Sequence, residues 1–183
     1  MTEIEDIETK VQSSTTKCEY KVFVVEDSDV YRTLIVENIS RIKKANSKGL
    51  PNYELFPFSS GEECLENLHL KPDVVIIDYH LDGNGYVKNM DGMTLLKTLK
   101  QQSPETAIIV LSCQSDTKII KDLLRQGASD YIKKDNISQI KVSALVEKHI
   151  QIKEIRSKKI KMLKYGLAIF LFIVAFITLI YLW

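Results

Sequence analysis

The chain has 183 residues, 45% of them hydrophobic and 27% charged, and a net charge of +1. Near-neutrality excludes a nucleic-acid binder held by bulk charge, and the length suits one ordinary domain with its own core plus short extras. Three scattered cysteines, Cys18, Cys64 and Cys113, fit neither a metal site nor a disulfide framework and predict a reducing compartment.

Residues 1–19 are acidic, polar and rich in Ser and Thr, which predicts a flexible tail. The opening MTEIEDIETK has no apolar core, so no signal peptide is expected. From Lys21 the pattern changes. KVFVV (21–25) is a short apolar run of the kind covered on both faces of a sheet. A helix is predicted next, with Val30, Leu34, Ile35, Ile39 and Ile42 at helical spacing and Asp27 to Asp29 as candidate caps. NYELFPFSS is a second strand, and SGEECLENLHL a short helix capped by Ser60. DVVIID is a third strand, MTLLKTLKQQ from Met93 a helix, and AIIVLS (107–112) a fourth strand. DTKIIKDLLRQG is a helix closed by Gly127. SDYIK is a fifth strand, and from ISQIKVSALVEKH onward the chain reads as helical.

Strands without period-2 alternation, separated by helices, predict an α/β fold with a doubly wound parallel sheet over residues 20–150. Residues 151–164 form a basic juxtamembrane helix or linker. Within 153–164, six cations face Glu154 alone, a net +5 that leaves the rest of the chain at −4. Tyr165 to Trp183 then supply 19 residues without a charge, about 28 Å of helix, which predicts a transmembrane segment. A buried core helix is the plainer alternative, but one apolar on every face needs a large protein around it. Tyr165 lies at one end of the run and Tyr181 and Trp183 at the other, where amphipathic rings favour headgroups. The basic flank places the N-terminal bulk in the cytoplasm, as a single-pass C-terminal anchor, with lipid contacted through 153–183.

In such sheets the functional crevice lies at the carboxyl ends of the strands. Strand one ends in Glu26 and Asp27, strand three in Asp78, strand four in Ser112, and strand five runs into Lys133 and Lys134. Three converging carboxylates repel, and a divalent cation relieves them. Hard oxygen ligands suit Mg²⁺, which accepts phosphate oxygens in its open positions. With a lysine for charge and a serine for hydrogen bonding, the set fits phosphoryl transfer to a carboxylate. Asp78, central and held by a rigid strand, is the best nucleophile.

VFVVEDSD, DVVIIDY, IIVLS and GASDYIKK together resemble the receiver domain of two-component response regulators. The resemblance covers about residues 20–150 and implies a flavodoxin-like sheet of order 2-1-3-4-5. It implies that Glu26 and Asp27 bind Mg²⁺, and that Asp78 is both ligand and acceptor of a phosphoryl group from a histidine kinase or phosphotransfer protein. His80 would lend its backbone carbonyl to the metal, and Ser112 would bond the phosphoryl group. The family's lysine lies three residues after the aromatic, which selects Lys134 over Lys133. Tyr131 matches the aromatic switch, and His80 and Gln114 occupy positions that tune phosphoryl lifetime.

Two departures from the family stand out. The segment HLDGNGYVKNMDG lacks the usual proline and is about six residues longer, with Asp91-Gly92 restoring the pattern; Asp135 replaces the proline that usually follows the lysine. Plainer readings exist for single residues: Glu26 and Asp27 as helix caps, Ser112 as a strand-end hydroxyl, Tyr131 as packing, Cys113 as a small apolar neighbour of the site, His69 and His149 as surface residues. The reading as a whole is a phosphorylation switch that is not an enzyme, contacts no nucleic acid and signals through an unknown partner protein at the membrane. The rivals are an aspartyl-phosphate phosphatase or phosphotransferase, and a membrane adaptor that takes up no phosphate.

Overall fold

A computed structural model describes residues 20–45, 51–81, 90–135 and 137–181. The tail 1–19, most of the long loop (82–89) and Trp183 lie outside these residues, so the expectations for them are left as stated. The elements in chain order are β1 (Tyr20–Val25), α1 (Asp29–Ala45), β2 (Tyr53–Phe58), α2 (Gly61–Glu66), β3 (Val74–Asp78), α3 (Gly92–Gln102), β4 (Ala107–Ser112), α4 (Thr117–Arg125), β5 (Asp130–Lys133) and α5 (Ser138–Tyr181), with a 3₁₀ turn at Leu68–Leu70. The strands pair in parallel in the order β2-β1-β3-β4-β5. This is the expected doubly wound sheet, and it puts β1, β3 and β4 at the centre.

The apolar runs explain the layering. Side chains alternate across a strand, so a strand apolar at every position feeds two cores. Val22, Val24, Ile76, Ile109 and Leu111 meet Ile35 and Ile39 of α1 and Val142, Val146 and Ile150 of α5. Phe23, Val25, Val75, Ile77 and Val110 meet Cys64 of α2, Leu95, Leu96 and Leu99 of α3, and Leu123 of α4. Each fully buried large apolar side chain contributes about 1.5–3 kcal/mol.

The stripe on α1 departs from the sequence expectation. Ile35 and Ile39 are buried, but Val30 is 73% and Leu34 40% exposed. At 100° per residue these two lie one step round the helix from the stripe that begins at Tyr31. Capping at α1 falls within the expected 27–29, where the Ser28 hydroxyl accepts from the Tyr31 amide at 3.4 Å. At α2 the expected Ser60 accepts from Glu63 N at 3.2 Å. Gly127 closes α4 with φ +103°, a conformation that penalises other residues.

α5 begins beside the carboxyl end of β5 and runs back along the domain. His149 Nε2 meets Asp130 Oδ2 at 2.5 Å, at the first residue of β5. Its side chain is 15% exposed, so it is a packed contact and not the free surface residue expected. Lys153 pairs with Asp73 at 2.5 Å, just before β3, and Arg156 reaches Glu105 at 3.4 Å, just before β4. Positions 149, 153 and 156 form one helical stripe, which ties α5 to the amino-terminal edge of the sheet. The helix then continues unbroken through the basic segment into the charge-free run. There Leu167, Phe170, Phe172 and Leu179 are each more than half exposed. By length and composition, this helix is long and apolar enough to cross a bilayer.

Gly92 opens α3 against the backbone that leaves β3. A Cβ there would stand 2.4 Å from the Asp78 carbonyl oxygen and 2.7 Å from Tyr79 Cα. These are backbone atoms that cannot turn away. Gly92→Ala is therefore expected to cost about 2 kcal/mol or more, read as a lower urea midpoint with unchanged slope. An unaltered midpoint would show that α3 does not pack this closely on the β3 exit.

Candidate functional site

The hydrogen-bond ladder of the sheet runs one residue past its strands, and this fixes the site backbone. Glu26 N donates to Phe58 O at 3.1 Å, Tyr79 N to Leu111 O at 2.8 Å, and Lys134 N to Ser112 O at 2.8 Å. Glu26, Asp78, Ser112 and Lys134 are thereby held at the carboxyl edge of four adjacent strands.

The side chains converge. One carboxylate oxygen from each of Glu26, Asp27 and Asp78 lies within 4.8 Å of the other two. Glu26 is 2% and Asp78 4% exposed. Lys134 Nζ donates to Glu26 Oε2 at 2.8 Å and to Asp78 Oδ2 at 2.6 Å. Lys133, the other lysine considered, is exposed on β5. Ser112 Oγ is fully buried and accepts from Gln114 N at 3.1 Å. His80 N donates to Asp78 Oδ1 at 3.2 Å, and its ring Nε2 lies 3.4 Å from Gln114 Nε2. The structure thus joins the two positions that the resemblance marks for phosphoryl lifetime. The Tyr131 hydroxyl donates to the Gln114 carbonyl, so Gln114 is held by the serine and the tyrosine together. Cys113, expected as a small apolar neighbour, is exposed instead, because adjacent side chains at a strand end point to opposite sides.

Electrostatics follow from this crowding. Burial pushes the Glu26 carboxyl up to about 7; the hydrogen bond from Lys134 opposes the rise, and the Asp78 charge adds to it. Burial alone would lower the Lys134 ammonium, but its hydrogen bonds to Asp78 and Glu26 outweigh that and hold it above its ordinary value. Burial raises the Tyr131 phenol. The carboxylates of Glu26, Asp27 and Asp78 crowd together at the mouth of the sheet. Clustered oxygens of this kind suit a hard divalent cation, and the donor set fits Mg²⁺.

Two neighbours escape a reading confined to strand ends. Lys134 Nζ lies 4.4 Å from the centre of the Tyr31 ring, and Arg32 Nη1 donates to the Glu26 carbonyl at 2.6 Å. Both sit in the first turns of α1, where sequence shows only an ordinary amphipathic helix. Asp135 has a role of its own where the family has proline. Its carboxylate accepts from Ile137 N at 3.0 Å and from Lys141 Nζ at 2.9 Å, bracing the start of α5.

Comparison with known proteins agrees with this fold. The family model for the response regulator receiver domain matches residues 22–146. The DNA-binding transcriptional regulator NtrC of Klebsiella pneumoniae is 38% identical over 78 residues, 42% of this chain and 15% of its own length. The probable C4-dicarboxylate response regulator DctR of Halalkalibacterium halodurans is 28% identical over 108 residues, 56% of this chain and 44% of its own. The chain thus spans less than half the length of either relative. Among solved structures, the receiver domain of the Francisella response regulator 1452 aligns with a TM-score of 0.57 at 25% identity, over 73% of this chain and 98% of its own. The BeF3-activated DrrB receiver domain aligns with a TM-score of 0.56 at 22% identity, over 72% of this chain and 97% of its own, a likeness of fold.

The Glu26 carboxyl makes stability depend on pH. Its value rises from 4.5 to about 7 on folding, so the folded chain binds the proton more tightly than the unfolded one. The contribution is fully present below 4.5 and is lost as pH rises towards 7. In chelator, the melting temperature is expected to fall across this window, and to fall less in Glu26→Gln. Equal slopes for the two proteins would remove Glu26 as the cause.

Proposed function

This chain belongs to the response regulator receiver family, and from that premise we propose that it is a phosphorylation switch in two-component signalling, with Asp78 as phosphoacceptor and a partner protein at the membrane as its output. Receiver domains work with histidine kinases or phosphotransfer proteins, and a phosphohistidine is the donor expected here. The observation that carries the reading is the Lys134 ammonium bonded to both Glu26 and Asp78, beside three carboxylate oxygens within 4.8 Å of one another.

The chemistry is an in-line displacement. A carboxylate oxygen of Asp78 attacks phosphorus, the P–N bond to imidazole breaks, and the imidazole leaves with a proton from solvent. Glu26, Asp27, Asp78 and the His80 carbonyl would hold Mg²⁺, which when bound neutralises charge on the phosphoryl oxygens. Lys134 already touches the acceptor and needs only to follow the new phosphoryl oxygens. Ser112 turns its hydroxyl to the phosphoryl group and gives up the Gln114 amide. Gln114 is also the anchor of the Tyr131 hydroxyl, so that release frees the tyrosine to turn inward. His80 and Gln114 screen the approach of water to the acyl phosphate.

The domain plan is a receiver over 20–150, a basic segment over 151–164 and a membrane segment over 165–183. The support is the exposed, charge-free helix beyond Tyr165 and the cations that precede it. On this plan the receiver lies on the cytoplasmic side, with Lys158, Lys159, Lys161 and Lys164 facing anionic headgroups at about 1 kcal/mol each.

The full chain in micelles, given acetyl phosphate and Mg²⁺, is expected to take up one phosphoryl group per chain. Asp78→Asn should abolish uptake and Lys134→Ala slow it about tenfold or more. Turnover of many small phosphoesters per chain would favour a phosphatase instead, and no uptake would favour an adaptor. Separately, the chain is expected to co-float with liposomes after alkaline washing, and Ile173→Arg to weaken that retention, at about 3 kcal/mol for a mid-span arginine. Flotation equal to the unmodified chain would count against a membrane span.

A further inference from the structure

Tyr31 touches both the catalytic lysine and the helix that leaves the domain. Its ring centre lies 4.4 Å from Lys134 Nζ, well inside the range of a cation–π contact. The ammonium therefore has Glu26 and Asp78 on its polar side and an aromatic face on another. The Tyr31 hydroxyl meets Ser138 Oγ at 3.2 Å, across 107 positions of sequence. Ser138 is the first residue of α5 and is 1% exposed. Its hydroxyl donates to the Asp135 carbonyl at 2.8 Å. A hydroxyl has one proton to give, so in the shared bond Tyr31 is the donor and Ser138 the acceptor.

We propose that Tyr31 is a positioning residue that holds the Lys134 ammonium in place and joins it to the first turn of α5. This rests on the switch reading of Asp78. A phosphoryl group on Asp78 sets its oxygens farther from β3 than the bare carboxylate does. Lys134 reorients towards them and leaves the place it holds over the ring. The ring follows the cation, and the phenol is drawn from Ser138. That residue begins the same uninterrupted helix that reaches the apolar segment. A second route from the site is thereby added to the one through Ser112 and Tyr131, and it starts at the lysine.

Two substitutions separate the ring from the hydroxyl. Tyr31→Leu removes both contacts, and Tyr31→Phe keeps the ring alone. In the full chain in micelles, the Lys134 ε-methylene protons, assigned by their loss in Lys134→Arg, are expected upfield from ring current. The shift should survive in Tyr31→Phe and vanish in Tyr31→Leu. Acetyl phosphate uptake should slow about fivefold in Tyr31→Leu and return to within about twofold in Tyr31→Phe. With beryllofluoride, amide exchange across residues 138–146 should change in the unmodified chain. That change should be lost in Tyr31→Phe and Ser138→Ala, although Ser138→Ala takes up phosphate normally. An absent ring-current shift, or unslowed uptake in Tyr31→Leu, overturns the positioning role. Exchange that still responds in Tyr31→Phe and Ser138→Ala overturns the link to α5. A normal ring-current shift without any phosphate uptake by the unmodified chain refutes the switch reading itself, and with it the route to α5.

Discussion

An ammonium lodged between two buried carboxylates sets the terms for the rest of this domain. Taking a carboxylate out of water costs several kcal/mol, and attraction to a counter-charge offsets that only where geometry is tight. Here the two contacts are 2.6 and 2.8 Å, from one nitrogen to two acids on different strands. Lys134 follows β5, Glu26 follows β1 and Asp78 ends β3. They meet because those strands run parallel and finish at one level. The ladder bonds of Glu26, Tyr79 and Lys134 past the strand ends then hold the three charges against relaxation. Three carboxylates brought this close make a place that a divalent ion would suit.

Much of this was legible in the chain before any coordinates. DVVIID announces a strand buried on both faces and the carboxylate at its end, because unbroken apolar runs have few other uses in a short segment. Glu26 and Ser112 follow from the same logic, since each is the first polar residue after an apolar run, and Asp27 comes next to Glu26; the strand end alone left Lys133 and Lys134 both open, and the resemblance selected Lys134. Tyr31 and Arg32 were not legible. They approach the site from a helix, and helical periodicity marks which residues face the sheet without telling which of them overhang its edge. His149 was misread as a surface residue for a related reason: its partner Asp130 opens a strand 19 positions earlier, and nothing local links them. Val30 and Leu34 misled in the opposite direction, as apolar residues one step off the buried stripe.

The two departures from the family pattern have physical readings in what surrounds them. Asp135 uses its side chain to accept from the backbone and from Lys141, so the turn into α5 is braced by hydrogen bonds. Gly92 matters for space more than for freedom of the backbone. It lets α3 press against the carbonyl of Asp78, and this contact fixes the exit of β3 regardless of how the chain travels between Leu81 and Met90. Both ends of that loop are pinned: Leu81 is 2% exposed, and Met90 N donates to Glu62 Oε1 at 2.8 Å.

Under the proposed mounting, the unbroken run of α5 would act as a lever arm. Its first residue is linked to Lys134 through Tyr31, and Tyr165 comes 27 positions later, about 40 Å along the axis. The clasp of His149, Lys153 and Arg156 leaves the domain little freedom to pivot on that arm. Under the proposed mounting, a tilt of about 20° by the membrane segment, ordinary for such helices, would sweep the phosphoacceptor sideways by some 14 Å. Bilayer thickness and tension would then decide how far the acceptor stands from a donor fixed in the same plane.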